Sequence, residues 1–365
     1  MKKYYLSIVI GICALFYSLM ANAQGVVDRQ LIWERNLIDI GNVMQEDGES
    51  YAEFFFVNKS NFPIFIEEII TECGCTTASY TTDTLALDKI GSVKVSYDPT
   101  DRGGPFSKMI IVKTNIDSDG DSLFLEGYNI PFPEDVSRHY SYKPGNIGFH
   151  TNQVNMGNVF TNEPKIKHMD FFNDNDAPLM LDREAVVVPD YMEVYLSPLV
   201  VQPKSRGILE IHYDAAAKED LGFFEDEIEL VFTDNEEPPV PFRVTAVIHE
   251  YFGPVSRSEL PYLPKLSLSE LEVDLNRISS NMPVSKIITL TNDGGAPLNI
   301  RKIVSNCDCL EFSLEKNDLE VGETVDLVFT FDPKGRRGID HKMLSIFSND
   351  PLNPTKTIVI RSRIQ

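Results

Sequence analysis

The chain has 365 residues, of which 42% are hydrophobic, 24% charged and 10% aromatic, a composition that excludes wholesale disorder. With 33 Lys and Arg against 55 Asp and Glu the formal net charge is −22, which argues against nucleic-acid binding and against electrostatic docking on an anionic membrane. At about 100–200 residues per domain, the length predicts several domains rather than one.

Residues 1–23 read as a secretory signal peptide: Lys2 and Lys3 form the positive start, Leu6 to Met20 the apolar stretch, and Ala21-Asn22-Ala23 a small-residue cleavage site. Cleavage after Ala23 makes Gln24 the new N-terminus, and the expected location is periplasmic or secreted. The apolar run is short for a membrane anchor, which needs about 20 residues. Cys13 lies inside that run behind Ile12, so a lipid-modified cysteine is not expected there. No later stretch is long and apolar enough to span a bilayer. Four cysteines remain, Cys73, Cys75, Cys307 and Cys309, in two C-x-C pairs. They are too few to build a disulfide scaffold, so the fold must rest on its cores.

The remaining chain repeats one module three times. Asn58 to Pro63, Asn173 to Pro178 and Asn292 to Pro297 share one spacing, each ahead of an apolar run. Upstream, Gly41-Asn42-Val43 and Gly157-Asn158-Val159 match each other, and Asp274-Leu275-Asn276 takes the same place in the third copy. Downstream, Tyr97-Asp98, Tyr213-Asp214 and Phe331-Asp332 each close a strand, and a further strand ends near Asn115, Asn235 and Asn349. Asn caps turns with its side chain and Pro pre-sets φ, so the Asn and Pro pairs read as turn chemistry.

Val93–Tyr97, Gly207–Tyr213 and Val325–Phe331 alternate apolar and polar residues and predict half-buried strands. Met109–Val112, Ile228–Phe232 and Met343–Phe347 are more continuously apolar and predict central strands. No amphipathic helix of ten or more residues is expected outside the signal. Short strands in copies of about 100 residues predict an all-β chain of three tandem immunoglobulin-like β-sandwich domains. Pro131, Pro133 and Pro144 mark one linker, and Pro254, Pro261 and Pro264 another. The expected domains are 24–139, 140–260 and 261–365, three beads with restricted articulation.

The residues Asn58, Pro63, Glu72-Cys73-Gly74-Cys75-Thr76, Tyr97-Asp98-Pro99, Gly103 and Lys113-Thr114-Asn115 resemble the bacterial DUF1573 family, which is similar to the ASH, MSP and Hydin modules. The third copy keeps the pattern with Asn306-Cys307-Asp308-Cys309, but has Asp308 for Gly and Leu310 for Thr. The second keeps only the scaffold, with Val188-Pro189-Asp190 where C-x-C should stand. The resemblance implies an exported, Ig-like bacterial protein, Bacteroidetes-like in character, and no activity.

Both C-x-C pairs lie ten residues after the repeat proline, which points to a shared role. Three readings compete for Cys73, Cys75, Cys307 and Cys309. The first is a local disulfide in each pair. In an extended segment the Cα atoms would stand roughly 6.5 Å apart, near the disulfide limit. The second is buried thiols packing as small hydrophobes. The third is a soft-metal site for Cu(I) or zinc. Zinc wants about four ligands, and the candidate His341 has Ser107 opposite it in the first copy, so no metal or other cofactor is expected.

No G-x-S-x-G, H-E-x-x-H, Walker or C-x-x-C motif occurs, and no enzyme is expected. His168 and His212 read as solvent-facing or satisfied strand residues. Glu225-Asp226-Glu227 and Asn235-Glu236-Glu237 read as solvated runs, and Asp117–Asp121 as a hairpin turn rather than a calcium loop. Asp83-Thr84-Leu85 and Asp121-Ser122-Leu123 resemble short O-glycosylation acceptors of exported Bacteroidetes proteins, making Thr84 and Ser122 candidates. Two functions follow: a non-catalytic scaffold or interaction module of the bacterial envelope, whose partner is another envelope or surface protein, or a thiol-redox or copper-handling protein.

Overall fold

A computed structural model describes residues 31–233 and 238–365. The expected signal peptide, its cleavage site after Ala23 and the acidic Asn235-Glu236-Glu237 lie outside the described residues. The chain is all-β and divides into two compact units, one ending at Glu134 and the other starting at Asp135. The first unit holds one sandwich. The second holds two, each around its own hydrophobic core, grouped in one compact unit.

In the first sandwich the strands are β1 Leu31–Trp33, β2 Leu37–Met44, β3 Ser50–Asn58, β4 Ile66–Thr71, β5 Thr76–Tyr80, β6 Ile90–Tyr97, β7 Gly104–Thr114 and β8 Asp117–Ile130. They form two sheets, β1-β3-β6-β5 and β2-β8-β7-β4. Alternation drives the packing. Ala52, Phe54 and Phe56 of β3 and Val93, Val95 and Tyr97 of β6 point inward and are buried. Each fully buried Phe or Val contributes about 1.5–3 kcal/mol. The strands predicted at Val93–Tyr97, Gly207–Tyr213 and Val325–Phe331 lie inside observed strands.

The second sandwich comprises β9 Ile147–Phe149, β10 Gln153–Phe160, β11 Lys165–Asn173, β12 Met180–Leu181, β13 Met192–Ser197, β14 Ser205–Tyr213, β15 Gly222–Leu230, β16 Phe232–Thr233 and β17 Val240–His249. The third comprises β18 Leu266–Leu268, β19 Glu272–Ile278, β20 Val284–Asn292, β21 Leu298–Ser305, β22 Leu310–Leu314, β23 Asp318–Leu319, β24 Thr324–Phe331, β25 Gly338–Ser348 and β26 Thr355–Ile364. In every copy the early strand of one sheet pairs in parallel with the last strand, as β2 with β8, β10 with β17 and β19 with β26.

Each of these parallel pairs carries a bulge. At the bulge a residue takes positive φ, Gly41 at 70°, Gly157 at 67° and Asn276 at 56°. Its N–H is accepted by the side chain two residues earlier, Asp39, Asn155 or Asp274. Asn276 is therefore the counterpart of the two glycines. The sequence alignment of Asp274 with Gly41 is corrected, because the bulge and not the residue type sets the match.

The repeated asparagines pin turns. Asn58, Asn173 and Asn292 are fully buried. Asn58 Nδ2 donates to the carbonyls of Phe62 and Leu85, both at 2.9 Å, and its Oδ1 accepts from Ser60 N–H. Asn173 and Asn292 repeat the arrangement on Ala177 and Val201 and on Ala296 and Leu319.

Three further expectations are corrected. Met109–Val112 and Met343–Phe347 belong to central strands, but Ile228–Phe232 lies at a sheet end. Ile228–Leu230 belong to β15, which pairs with β17 on one side and meets only an isolated bridge from Val187 on the other, while Phe232 lies in β16 against the two-residue β12. The hairpin turn is Asn115-Ile116, and Asp117–Asp121 already begins β8. Asp226 is not solvated. It lies on the inward-facing register of β15 with Phe224 and Ile228, and its side chain is 13% exposed.

Candidate functional site: the cysteine turns

From the repeated asparagine onward, equivalent residues of the first and third sandwiches lie 234 apart, as Asn58 and Asn292, Cys73 and Cys307, and Asp98 and Asp332 do. In both copies the C-x-C pair sits in the turn that carries the chain from one sheet to the other, β4 to β5 and β21 to β22. The turn is closed by Thr76 N–H on Cys73 O at 3.2 Å and by Leu310 N–H on Cys307 O at 3.1 Å. The second cysteine is fixed from the other side, where Asp98 N–H reaches Cys75 O and Asp332 N–H reaches Cys309 O, both at 2.9 Å.

Cys73 is bonded to Cys75 and Cys307 to Cys309. The Cα atoms are 5.2 and 5.1 Å apart, well inside the disulfide range. The expectation of an extended segment is corrected: the turn draws the two residues together, so Asp308 accommodates the bridge as Gly74 does. A bridged sulfur is not a thiolate ligand, so the pairs in this state offer nothing to a soft metal.

The two sulfurs of each bridge differ. Cys75 is 5% exposed and belongs to the first core, whereas Cys73 is half-buried. Cys309 packs against the third core, and Cys307 lies outside it. Arg336 Nη2 donates to Cys307 Sγ at 3.1 Å, and Cys309 N–H donates to the same sulfur at 3.1 Å. Arg102 holds the matching position in the first copy but donates back to Asp98 O at 3.3 Å. There Cys73 Sγ meets the Thr76 hydroxyl at 3.6 Å.

The second copy lacks cysteines. Met192 N–H reaches Pro189 O and Asp214 N–H reaches Tyr191 O, both at 2.9 Å. These bonds match Pro189-Asp190-Tyr191 with C-x-C, one residue later than the sequence placed it. Lys218, four residues after Asp214, stands where Arg102 and Arg336 stand, and pairs with Asp226 at 3.1 Å. Tyr191 and Tyr213 donate to the same carboxylate at 2.6 and 3.2 Å. Burial, then the neighbouring Asp226, raises the Tyr213 hydroxyl far above its ordinary value. A polar cluster replaces the bridge, and sequence reasoning missed it. The inward register of Asp226 on β15 was the available signal.

Beside the first bridge lies an open cleft of about 750 Å³, lined by Glu67, Glu68, Ile69, Glu72, Cys73 and Tyr80 among others. Its walls are sheet edges, because β4 pairs only with β7 and β5 only with β6. Glu67 and Glu72 are exposed, and Glu68 pairs with Lys113 at 3.2 Å. The matching positions of the third copy are basic and occupied. Arg301 pairs with Glu250 at 3.0 Å, and Lys302 with Asp220 at 2.7 Å, both partners in the second sandwich. A Cβ on Gly222 would meet Val304 at 3.2 Å, so the second sandwich lies close against β21.

A second polar cluster joins His139, His150 and Asp170, with ligand-type atoms within 4.8 Å of one another. Tyr140 donates to Asp170 at 2.6 Å, His150 lies at 3.0 Å and Arg206 at 3.5 Å. Burial would raise the Asp170 carboxyl, but those hydrogen bonds and the charges of His150 and Arg206 bring it down to about 2. The carboxylate is already engaged by Tyr140, His150 and Arg206. Thr84 and Ser122 are both exposed, Thr84 in a loop and Ser122 within β8. Among the described residues no helix is long and apolar enough to cross a membrane.

The family model for DUF1573, described as a protein of unknown function, matches residues 31–129 and 266–364. A comparison with curated proteins finds no match. Among solved structures, a protein of unknown function from Porphyromonas gingivalis W83 is 14% identical, with 60% of this chain and 100% of that one covered and a TM-score of 0.43. An endo-fucoidan hydrolase of glycoside hydrolase family 107 is 12% identical over 92% of this chain at a TM-score of 0.22, and the chain spans 44% of that protein's length. An ASH/PapD-like domain of human CEP192 is 11% identical, with 31% and 92% covered and a TM-score of 0.26. At these scores the likenesses lend this chain no activity.

Proposed function

The chain belongs to the DUF1573 family, and from its own geometry we propose that it is an exported, non-catalytic Ig-like interaction module of the bacterial envelope that docks an extended, basic segment of another envelope or surface protein. The observation that carries this reading is the contrast at one surface of two equivalent sandwiches. In the third copy Arg301 and Lys302 on β21 are taken by the acidic residues Glu250 and Asp220. In the first copy Glu67 and Glu68 hold those positions beside the open cleft. The charge is reversed, so the complementary occupant is basic. Two unpaired strand edges offer main-chain hydrogen bonds to an extended chain, and the glutamates select its side chains. Export rests on the tripartite signal of residues 1–23, and the modification candidates Thr84 and Ser122 are surface positions compatible with it.

Fluorescence anisotropy of a labelled peptide alternating Lys and Ile tests the docking. Binding that weakens with salt and is lost in Glu67→Lys/Glu72→Lys supports it. No binding, or equal binding to the reversed variant, overturns it.

A further inference from the structure

We infer that the two cysteine turns are thiol–disulfide exchange sites, with Cys73 and Cys307 as the sulfurs that meet an external thiol and Cys75 and Cys309 as their inner partners. The substrate class is a cysteine thiol of another polypeptide. The inference goes beyond the docking reading and does not rest on it, because exchange can be read with a small thiol that needs no cleft.

Loop size is the first argument. A bridge between residues i and i+2 closes a tiny loop, so it removes little entropy from the unfolded chain and gives the fold little stability. The second copy keeps its strands and core without cysteines, filling the place with Tyr191, Lys218 and Asp226. The module therefore does not need the bridge to fold, yet two copies carry it in the same turn with the same backbone bonds.

The asymmetry of the sulfurs is the second argument. Exchange requires in-line approach of a thiolate to one sulfur while the other leaves. In the first copy Cys75 is buried in the core and Cys73, at its margin, is the more accessible; in the third both are half-buried, and only Cys309 packs against the core. Cys307 also has a cation and an N–H donating to its sulfur. Such donors favour the anionic sulfur over the neutral thiol, the condition of a reactive cysteine. Cys73 has the Thr76 hydroxyl instead and acidic neighbours in the cleft.

An incoming thiolate attacks Cys307 Sγ and forms a new S–S bond. The Cys307–Cys309 bond breaks, and Cys309 leaves with the electron pair and takes a proton from water. A second incoming thiolate then attacks the external sulfur of the mixed disulfide, and Cys307 leaves with the electron pair and takes a proton from water. Two external thiols become one disulfide, and the protein bridge becomes two thiols. The same path run backwards reoxidises the protein with an external disulfide.

The test uses the full chain in reduced and oxidised glutathione, quenched with acid, alkylated and peptide-mapped. The expected result is glutathione on Cys73 and Cys307 at about tenfold or more over Cys75 and Cys309, following accessibility. In Cys75→Ser and Cys309→Ser the mixed disulfide should accumulate on the remaining outer cysteine. Alkylation of the reduced wild-type protein needs no variant: Cys307 should react at lower pH than Cys73. Arg336→Gln should move the Cys307 pH profile upward and leave that of Cys73 in place, which a merely structural arginine would not do. Bridges that resist millimolar glutathione in the folded protein, or glutathione spread evenly over all four cysteines, would overturn the inference.

Discussion

Lys218 Nζ lies 3.1 Å from Asp226 Oδ1, with both side chains about nine-tenths buried, at the place the flanking sandwiches give to a disulfide. Lys218 also stands over the Tyr191 ring at 3.9 Å and the Phe224 ring at 4.3 Å. The pair is tied by two tyrosine hydroxyls, so little of either charge is left without a partner. One module thus closes the same turn in two chemical ways, by a covalent bridge or by a desolvated ion pair.

Removing half of a buried pair strands the other charge. Asp226→Ala should destabilise the second sandwich by about 3–5 kcal/mol. Replacing both partners by apolar residues, Lys218→Met with Asp226→Leu, should cost markedly less than Asp226→Ala alone. Urea unfolding of the three proteins checks the order. A double variant no more stable than the single would show that the stranded Lys218 charge is not what sets the cost.

The turn asparagines give a second prediction. Asn292 Nδ2 bridges Ala296 O and Leu319 O at 2.9 and 3.0 Å, and Oδ1 accepts from Gly294 N–H at 3.0 Å. Alanine would leave those buried backbone groups without a partner, at about 1–3 kcal/mol for each unsatisfied group. Asn292→Ala should therefore lower stability by about 2–4 kcal/mol, and Asn292→Asp should not rescue it, because a carboxylate cannot donate to two carbonyls. Thermal unfolding of the two variants decides; full rescue by Asp would assign the role to Oδ1 alone.

How much of this was legible in the sequence depends on which residues carry it. The alternation in Val93–Tyr97 and Val325–Phe331 needs no partner to be read, and those strands are observed. The Asn and Pro spacing marked the turns, but not the reach of Asn58 to Leu85, which only the folded sandwich supplies. The turn at Cys73–Thr76 reads as extended because the apolar run before it is extended, and Gly74 alone does not fix a turn type there. Arg336 at Cys307 and Lys218 at Tyr191 come from elsewhere in the chain, a turn 29 residues away and a short helix 27 residues away, so no local pattern reveals them. The grouping of the second and third sandwiches follows from Arg301, Lys302 and Gly222, whose partners no local pattern names.

The proposed export yields a prediction about the mature chain. Protein recovered from its native envelope should begin at Gln24, because Ala21-Asn22-Ala23 supplies the small residues a signal peptidase needs. N-terminal sequencing reads this directly, and an intact Met1 would contradict it. The same sample tests modification: a glycan at Thr84 or Ser122, both exposed, adds mass to the 24–365 chain. A mass equal to the bare chain would end the glycosylation reading.

The last prediction concerns acid. His139, His168 and His249 are each held below the ordinary imidazole value, burial being the first cause in all three. For His139 the charges of His150 and Arg206 add to it, against the opposing pull of Asp170. In the unfolded chain these groups regain a value of about 6.5. As pH falls through that point the unfolded chain takes up protons that the fold resists, so stability declines. Asp170 adds a second, lower window. Its carboxyl is held at about 2, below the roughly 3.9 of an unfolded Asp. Its contribution is therefore complete above that unfolded value and is lost as pH falls toward the folded one. Both windows belong to the second sandwich, whereas residues 24–134 contain no histidine. Hydrogen exchange of the full chain at pH 7.5 and 5.5, corrected for intrinsic rates, should show weaker protection across 147–249 and little change across 31–130. Equal loss in the first sandwich would mean that the histidines are not the cause.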